Sequence, residues 1–318
     1  MGANKLKPMR VRSLTAGRPP TARPPKSMSR KTTKRLINKH HQLEKQRLQA
    51  VVRNDKATET AVVAEIEALG GLARYQQASL QGQHRDRGGD SSRVLMQWLG
   101  LDDDDNKTKA AVSKATRASV LTLAPLRMLE VGALSNDNAC STSGCFHMER
   151  IDLNSQGPGI TQQDFLQRPR PQSDSERFHI ISLSLVLNYV PQHSDRGEML
   201  LRCLDFLYEP GMAPAKEIGT PEASTAVADK SVQEYFPSVF MVLPEPCVAN
   251  SRYLDEEKLT AIMAALGFDL LKSKSSQRLV YYLWVRKRPA PRVAPHFPKK
   301  ELRSGSTRNN FSIVLQGT

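Results

Sequence analysis

The chain has 318 residues, 39% of them hydrophobic, and its 46 Lys and Arg against 32 Asp and Glu give a net charge of +14. That length buries a substantial core, which excludes a chain disordered throughout. The longest strongly apolar run, 180–190, is broken by Ser182, Ser184 and Asn188, too short and too polar to span a bilayer. No apolar signal segment follows Met1, so neither a membrane nor a secretory location is expected, and the cytoplasm or nucleus remains.

The charge is unevenly spread. Residues 1–53 carry fifteen Lys and Arg against the single acid Glu44, the segment from Arg286 onward carries eight against Glu301, and the stretch between them is net acidic. Two basic arms around a mildly acidic body suit a polyanionic partner, because neutralising phosphates releases counterions. Four cysteines, Cys140, Cys145, Cys203 and Cys247, form neither a disulfide framework nor paired zinc knuckles. Cys140, Cys145 and His147, the one conceivable cluster, are three residues where a structural zinc site needs four ligands at suitable spacing, and no metal is expected.

In chain order, residues 1–28 are basic and proline-rich, a disordered arm. From Ser29, Leu36, Ile37, Leu43, Leu48, Val51 and Val52 recur at helical spacing among basic residues and predict an amphipathic helix. Helices are predicted over Thr60–Leu69, stopped by Gly70-Gly71, and over Tyr75–Leu80 and Ser92–Leu99, making a helical N-terminal subdomain over 29–124. The loop Gly82–Ser92, with Arg85 and Arg87, suits either a phosphate grip or a plain surface loop, and Asp102–Asp105 reads as a solvated acidic run.

From residue 125 short apolar runs alternate with helical patterns, the texture of a parallel sheet with crossover helices. Strands are predicted at Arg127–Val131, Met148–Asp152, Ile180–Leu183, Val239–Leu243, Phe268–Lys272 and Leu279–Arg286. Helices are predicted at Glu198–Leu207 and after the cap Asp255, the latter with Leu259, Ile262, Met263 and Leu266 on one stripe closed by Gly267. Only Ser273–Arg278 separates the last two strands, too short for a parallel crossover, so they pair antiparallel. A Rossmann-like α/β sheet ending in an antiparallel hairpin is the plan of class I methyltransferases. It occupies 125–287, with an insertion at 209–235 and a basic tail over 288–318.

The first strand of that sheet ends Leu129-Glu130-Val131-Gly132, and Asp152 closes the second, twenty residues after Gly132. In doubly wound folds the turn after the first strand admits a nucleoside ligand and an acid ending the second accepts from its ribose hydroxyls. One glycine replaces the three of a dinucleotide fingerprint, which suits a cofactor without a pyrophosphate, S-adenosylmethionine. Asp164 and Phe165 follow a third short segment and are placed to meet the cofactor's adenine, the acid accepting from its amine and the ring packing on it.

Several blocks carry a family resemblance: Arg30-Lys31-Thr32-Thr33-Lys34, Tyr75–Gln83, Arg87-Gly88-Gly89-Asp90-Ser91-Ser92, Leu129–Leu134, Ile151–Asn154, Ser184–Pro191 and Leu243–Tyr253. On these the chain resembles the large-subunit (25S) ribosomal RNA adenine-N(1) methyltransferases from about Ser29 to Lys287. The resemblance implies S-adenosylmethionine as cofactor, cofactor-binding roles for Gly132 and Asp152, ribosomal RNA or pre-ribosomal particles as partner, residence in the nucleus and nucleolus, and no metal. A monomer is expected. Asn188 and Tyr189, beyond the strand at Ile180–Leu183, then stand where such sheets hold substrate, Asn188 to hydrogen-bond the adenine edge and Tyr189 to stack on it; a helix cap and a packed aromatic are the plain alternatives. Asn250, Ser251 and Arg252 line the same rim or simply lead into the helix capped by Asp255. A non-catalytic S-adenosylmethionine sensor acting through protein partners would keep the cofactor residues without needing the basic arms, and a structural ribosome-assembly factor the reverse.

Overall fold

The computed structural model describes residues 28–83, 89–101, 126–155, 157–211 and 234–317. The proline-rich arm, Arg85, Arg87, Asp102–Asp105 and most of the insertion lie outside them.

Seven strands form one sheet: β1 Leu126–Val131, β2 Phe146–Asp152, β3 Thr161–Gln162, β4 Ile180–Ser184, β5 Ser238–Pro244, β6 Phe268–Ser275 and β7 Leu279–Arg286. Their order is β3-β2-β1-β4-β5-β7-β6. Pairing is parallel from β3 to β5, while β7 lies antiparallel to both β5 and β6. This is the class I plan with its reversed terminal hairpin. The six predicted strands are present, and β3, only two residues long, is the addition.

Strand side chains alternate between two cores, as a period of two requires. Leu129, Val131, Ile181, Leu183, Val239, Met241, Tyr282 and Trp284 face one layer; Leu126, Met128, Ile180, Phe240, Val242, Tyr281 and Leu283 face the other. The first layer is closed by α6 (His193–Phe206) and α8 (Glu256–Ala265), with the short α7 (Pro246–Ala249) between them. Helix α8 follows its prediction: Asp255 accepts from the Lys258 N–H at 2.8 Å, Gly267 ends the helix at φ +91°, and the four-residue apolar stripe is wholly buried.

The second layer holds α4 (Ser92–Trp98) and α5 (Ala139–Thr142). Leu95, Met96 and Leu99 of α4 pack on the sheet, so α4 belongs to the sheet domain rather than to the helical subdomain predicted over 29–124. The layer that stands apart is α1 (Arg30–Val52), α2 (Lys56–Ala68) and α3 (Gly71–Gln83), around a small core of Leu43, Val62 and Ile66. Ser29 caps α1 by accepting from the Thr32 N–H at 3.1 Å. Its buried stripe is Thr33, His40, Leu43 and Ala50, while Val51 and Val52 stay exposed.

The segment after β7 is not a free basic tail. Phe311, Ile313, Val314 and Leu315 are buried, with Phe311, Ile313 and Leu315 in the first core. The Arg303 guanidinium donates to the carbonyls of Val248, Ala249, Ser251 and Leu254. Buried Arg286 donates to the carbonyls of Leu204 and Tyr208 and to both carboxylate oxygens of Glu209. Asn250, Ser251 and Arg252 take the plainer of their two expected places, in the loop leading into α8 rather than on the cleft wall, and there dock this segment: Ser251 Oγ donates to the Phe311 carbonyl and Arg252 to Asn310 Oδ1 and the Gly305 carbonyl.

Helix α6 approaches the segment so closely that a Cβ on Gly197 would run into the Val314 carbonyl oxygen. Gly197→Ala is therefore expected to destabilise the protein by about 1–3 kcal/mol despite the better helix propensity of alanine. Urea denaturation checks this, and an unchanged midpoint would show the segment to be loosely held.

Candidate cofactor and substrate cleft

The chain leaves β1 toward β2 on one side and meets β4 on the other, and this reversal of strand order opens a crevice at the carboxyl ends of the strands. Gly132 turns out of β1 at φ +74°, its N–H donating to the Ile151 carbonyl at 2.8 Å. A Cβ there would stand 2.8 Å from Val186 Cγ2, so both the backbone conformation and the space require glycine. Asp152 ends β2 beside this turn. Its Oδ1 accepts from the Asn154 N–H at 2.7 Å, and burial raises its pKa. No other hydrogen bond reaches this carboxylate among the described residues, which leaves acceptor capacity toward the cleft.

Asp164 and Phe165 also reach the wall. Asp164 Oδ1 accepts from the Leu166 N–H at 2.8 Å. The Phe165 ring, 2% exposed, packs 5.4 Å from Phe206 and beneath the Arg202 guanidinium. The ring is thus committed to the core, and little of it is open for stacking.

The crevice continues into a cleft of about 1880 Å³ roofed by α1 and α3. Gln76 Nε2 on α3 donates to the Asn154 carbonyl at 3.1 Å and ties roof to sheet. His41 on α1 stacks on Tyr189, ring centres 3.9 Å apart, and Tyr75 Oη on α3 lies 3.3 Å from His41 Nε2. Sequence reasoning missed His41, Tyr75 and Gln76 as site residues, because helical residues show only their own helix's periodicity.

The loop after β4 is the fourth wall. Ser184 and Ser91 hydroxyls meet at 2.7 Å, and Leu185 holds a left-handed φ of +57°, a strained conformation for a branched residue of the kind that clusters at functional sites. Tyr189 lines the cleft; Asn188 does not, and its Oδ1 is buried without a hydrogen-bond partner. Behind the loop, Arg196 donates to the carbonyls of Val190 at 2.9 Å, Ser312 at 2.7 Å and Pro191 at 3.4 Å, with its guanidinium 4.4 Å from the Phe311 ring centre. Burial lowers its pKa to about 10, so it stays charged. This cation fastens the loop to the C-terminal segment.

Asp90 explains part of the Arg87–Ser92 block: its carboxylate accepts from the Ser92 N–H and hydroxyl and from the Ala139 N–H, joining the starts of α4 and α5. Close by, the Glu130 carboxylate on β1 accepts from Asn138 Nδ2 at 2.9 Å, and burial raises its pKa to about 7. The four cysteines are unpaired and buried, and among the described residues no His, Cys, Asp and Glu cluster is arranged to hold a metal. No described helix is long and apolar enough to cross a membrane.

Residues 60–313 match the family described as 25S rRNA (adenine(2142)-N(1))-methyltransferase, Bmt2. Over 280 residues, 88% of this chain and 90% of its counterpart, the sequence is 35% identical to the 25S rRNA adenine-N(1) methyltransferase of Schizosaccharomyces pombe. The chain belongs to this family. The 25S rRNA (adenine(2142)-N(1))-methyltransferase of Saccharomyces cerevisiae is 32% identical over 255 residues, 80% of this chain and 63% of that protein. Among solved structures, the N-methyltransferase NodS of Bradyrhizobium japonicum with S-adenosyl-L-homocysteine is similar at 13% identity and a TM-score of 0.32, covering 63% of this chain and all of that one. So loose a superposition adds nothing to the strand order. The family match takes in Tyr75, Gly132, Asp152, Asp164, Tyr189 and Arg196, whereas His41 precedes it.

In this family member the raised Glu130 pKa sets a pH dependence. The folded state holds a proton on Glu130 between its ordinary 4.5 and about 7. Unfolding releases that proton, so the Glu130 contribution is full below the lower value and is lost as pH rises through the window, with a slope of at most about 1.4 kcal/mol per unit. Glu130→Gln is expected to flatten the fall in stability across this window. Thermal denaturation of both proteins at several pH values measures the difference, and parallel curves would place Glu130 in water.

Proposed function

We propose that this chain transfers the methyl group of S-adenosylmethionine to N(1) of an adenine in large-subunit ribosomal RNA. The observation that carries the reading is the meeting of Gly132, Asp152 and Asp164 with Tyr189 in one cleft at the strand-order reversal, in a member of this family. The glycine turn and the half-buried Asp152 carboxylate fit a nucleoside cofactor: Asp152 accepts from ribose hydroxyls, Gly132 gives the aminoacyl end access to backbone, and Asp164, with the wall at Phe165, meets the adenine edge. When bound, S-adenosylmethionine supplies an electrophilic methyl group on a sulfonium.

Adenine N(1) already has a lone pair, so no side chain needs to remove a proton before transfer. The work of the protein is to orient the base and exclude water. N(1) lies on the pairing edge, so the base must be unpaired or flipped out. Tyr189 offers the stacking face, and Asn188, its chain neighbour set behind the wall, acts as a positioning residue for the loop that carries it. The basic residues of 1–53 draw in the RNA backbone. This arm, with fifteen basic residues against eight in the C-terminal segment, is the main electrostatic attachment. A monomer acting on ribosomal RNA or pre-ribosomal particles in the nucleolus follows from the same reading.

Asp152→Ala is expected to lose tenfold to over a hundredfold in S-adenosylmethionine affinity, from about 1.5–3 kcal/mol of charge-assisted hydrogen bonding. Calorimetry with unchanged affinity would remove Asp152 from the cofactor site. Tyr189→Ala should keep cofactor binding and slow methyl transfer to unmodified ribosomal RNA by about 1–3 kcal/mol of stacking. Transfer is read by primer extension, which stops at an N(1)-methylated adenine; wild-type protein that binds cofactor and yields no stop would contradict the proposal. Removing residues 1–27 should flatten the salt dependence of RNA binding, each lost phosphate contact taking up to about 0.7–0.9 from the log-log slope.

A further inference from the structure

One contact in the cleft serves neither the sheet nor the turn at Gly132. His41, midway along the basic helix α1, lays its imidazole on the Tyr189 phenol with ring centres 3.9 Å apart and planes 22° from parallel. The rings touch across their faces, which leaves no space for a third ring between them. Tyr75 meets His41 edge-on at 5.1 Å, with its hydroxyl 3.3 Å from Nε2, and stacks on His40 at 4.4 Å. Burial, with His40 beside it, holds the His41 pKa near 4, so the ring is uncharged at neutral pH.

What occupies this face of Tyr189 is a flat, neutral nitrogen heterocycle whose edge nitrogen meets a phenol. An adenine has the same character: a π-face for Tyr189 and ring nitrogens that accept a hydrogen bond from Tyr75. We propose that the Tyr189 face covered by His41 is the subsite for the acceptor base, and that His41 is a displaceable stand-in which the adenine replaces. The inference rests on the proposed role of Tyr189 and adds what fills its place before RNA arrives.

The architecture suits such an exchange. The apolar partners of α1 lie within the helical layer, around Leu43, Val62 and Ile66, so withdrawing His41 leaves both sheet cores intact. Lys31, Lys34 and Arg35 are exposed on the same helix. RNA phosphates drawn to them pull on the element that carries the plug, so binding of the polyanion and vacating of Tyr189 are coupled. Until then the stack holds α1 against the loop after β4, on the wall of the cleft that also contains Gly132 and Asp152.

The test uses the full chain saturated with S-adenosyl-L-homocysteine and free adenosine as the probe, followed through the ring resonances of labelled Tyr189. His41→Ala is expected to bind adenosine about two- to tenfold more tightly than wild type, the range of one lost aromatic stack. The KM for a ribosomal RNA fragment should fall by a similar factor. His41→Trp, a larger stacking ring, should shift both in the opposite direction. Weaker binding in His41→Ala would make His41 a wall of the base site rather than its stand-in, and equal binding would put the base elsewhere; either result overturns the proposal. Because adenosine binding is read without catalysis, it still decides the His41 question if wild-type protein transfers no methyl group.

Discussion

The site depends on the close approach of Gly132 to Val186. It brings the turn out of β1 against the loop leaving β4, and a single methyl group at position 132 would hold them apart. Parallel pairing of β1 with β4 and β2 creates the opportunity, since neighbouring strands whose chains depart in opposite directions leave a crevice at their carboxyl ends. Gly132 sets how tightly the crevice closes, Asp152 sets the chemistry of its floor, and Val186 fixes the path of the loop that brings Tyr189 into the cleft.

That loop is steadied from behind by an unusual use of arginine. Arg196, Arg286 and Arg303 direct their guanidinium groups mainly at backbone carbonyls of distant segments, with Glu209 beside Arg286 as the one carboxylate partner. A guanidinium offers five donors in a rigid fork, which lets one side chain satisfy carbonyls at helix ends that would otherwise be orphaned. For Arg196, whose pKa burial lowers to about 10, those carbonyl dipoles replace water and the group stays ionised at neutral pH. Of the eight C-terminal basic residues, Arg286 and Arg303 are therefore structural.

The sheet was largely legible in the sequence because strand periodicity is local. Six strands, the terminal hairpin and α8 with its cap at Asp255 were readable from alternation, spacing and connection length, whereas β3 has too few residues to alternate. Gly132 and Asp152 were readable for a similar reason: a glycine turn and an acid at two strand ends have a fixed spacing in this topology. The roof was not readable. His41 and Tyr75 meet only when α1 and α3 fold over the loop after β4, and nothing near either residue signals the partner. The C-terminal segment misled because its basic composition outweighs the short apolar run Phe311–Leu315, whose burial depends on a gap opened by Gly197. Asn188 has the right place in the chain and the wrong direction, since Arg196 and the left-handed Leu185 set the course of the loop.

The helical layer and the sheet thus line one cleft, and in the proposed reading the sheet receives the cofactor while the helices carry the charge that attracts RNA. A crystal structure of the protein with S-adenosyl-L-homocysteine tests this division most directly. Both ribose hydroxyls are expected on the Asp152 carboxylate, the aminoacyl chain against the backbone at Gly132, and the sulfur facing the cleft toward Tyr189. A ligand seated away from Asp152, or with its sulfur turned from Tyr189, would contradict it.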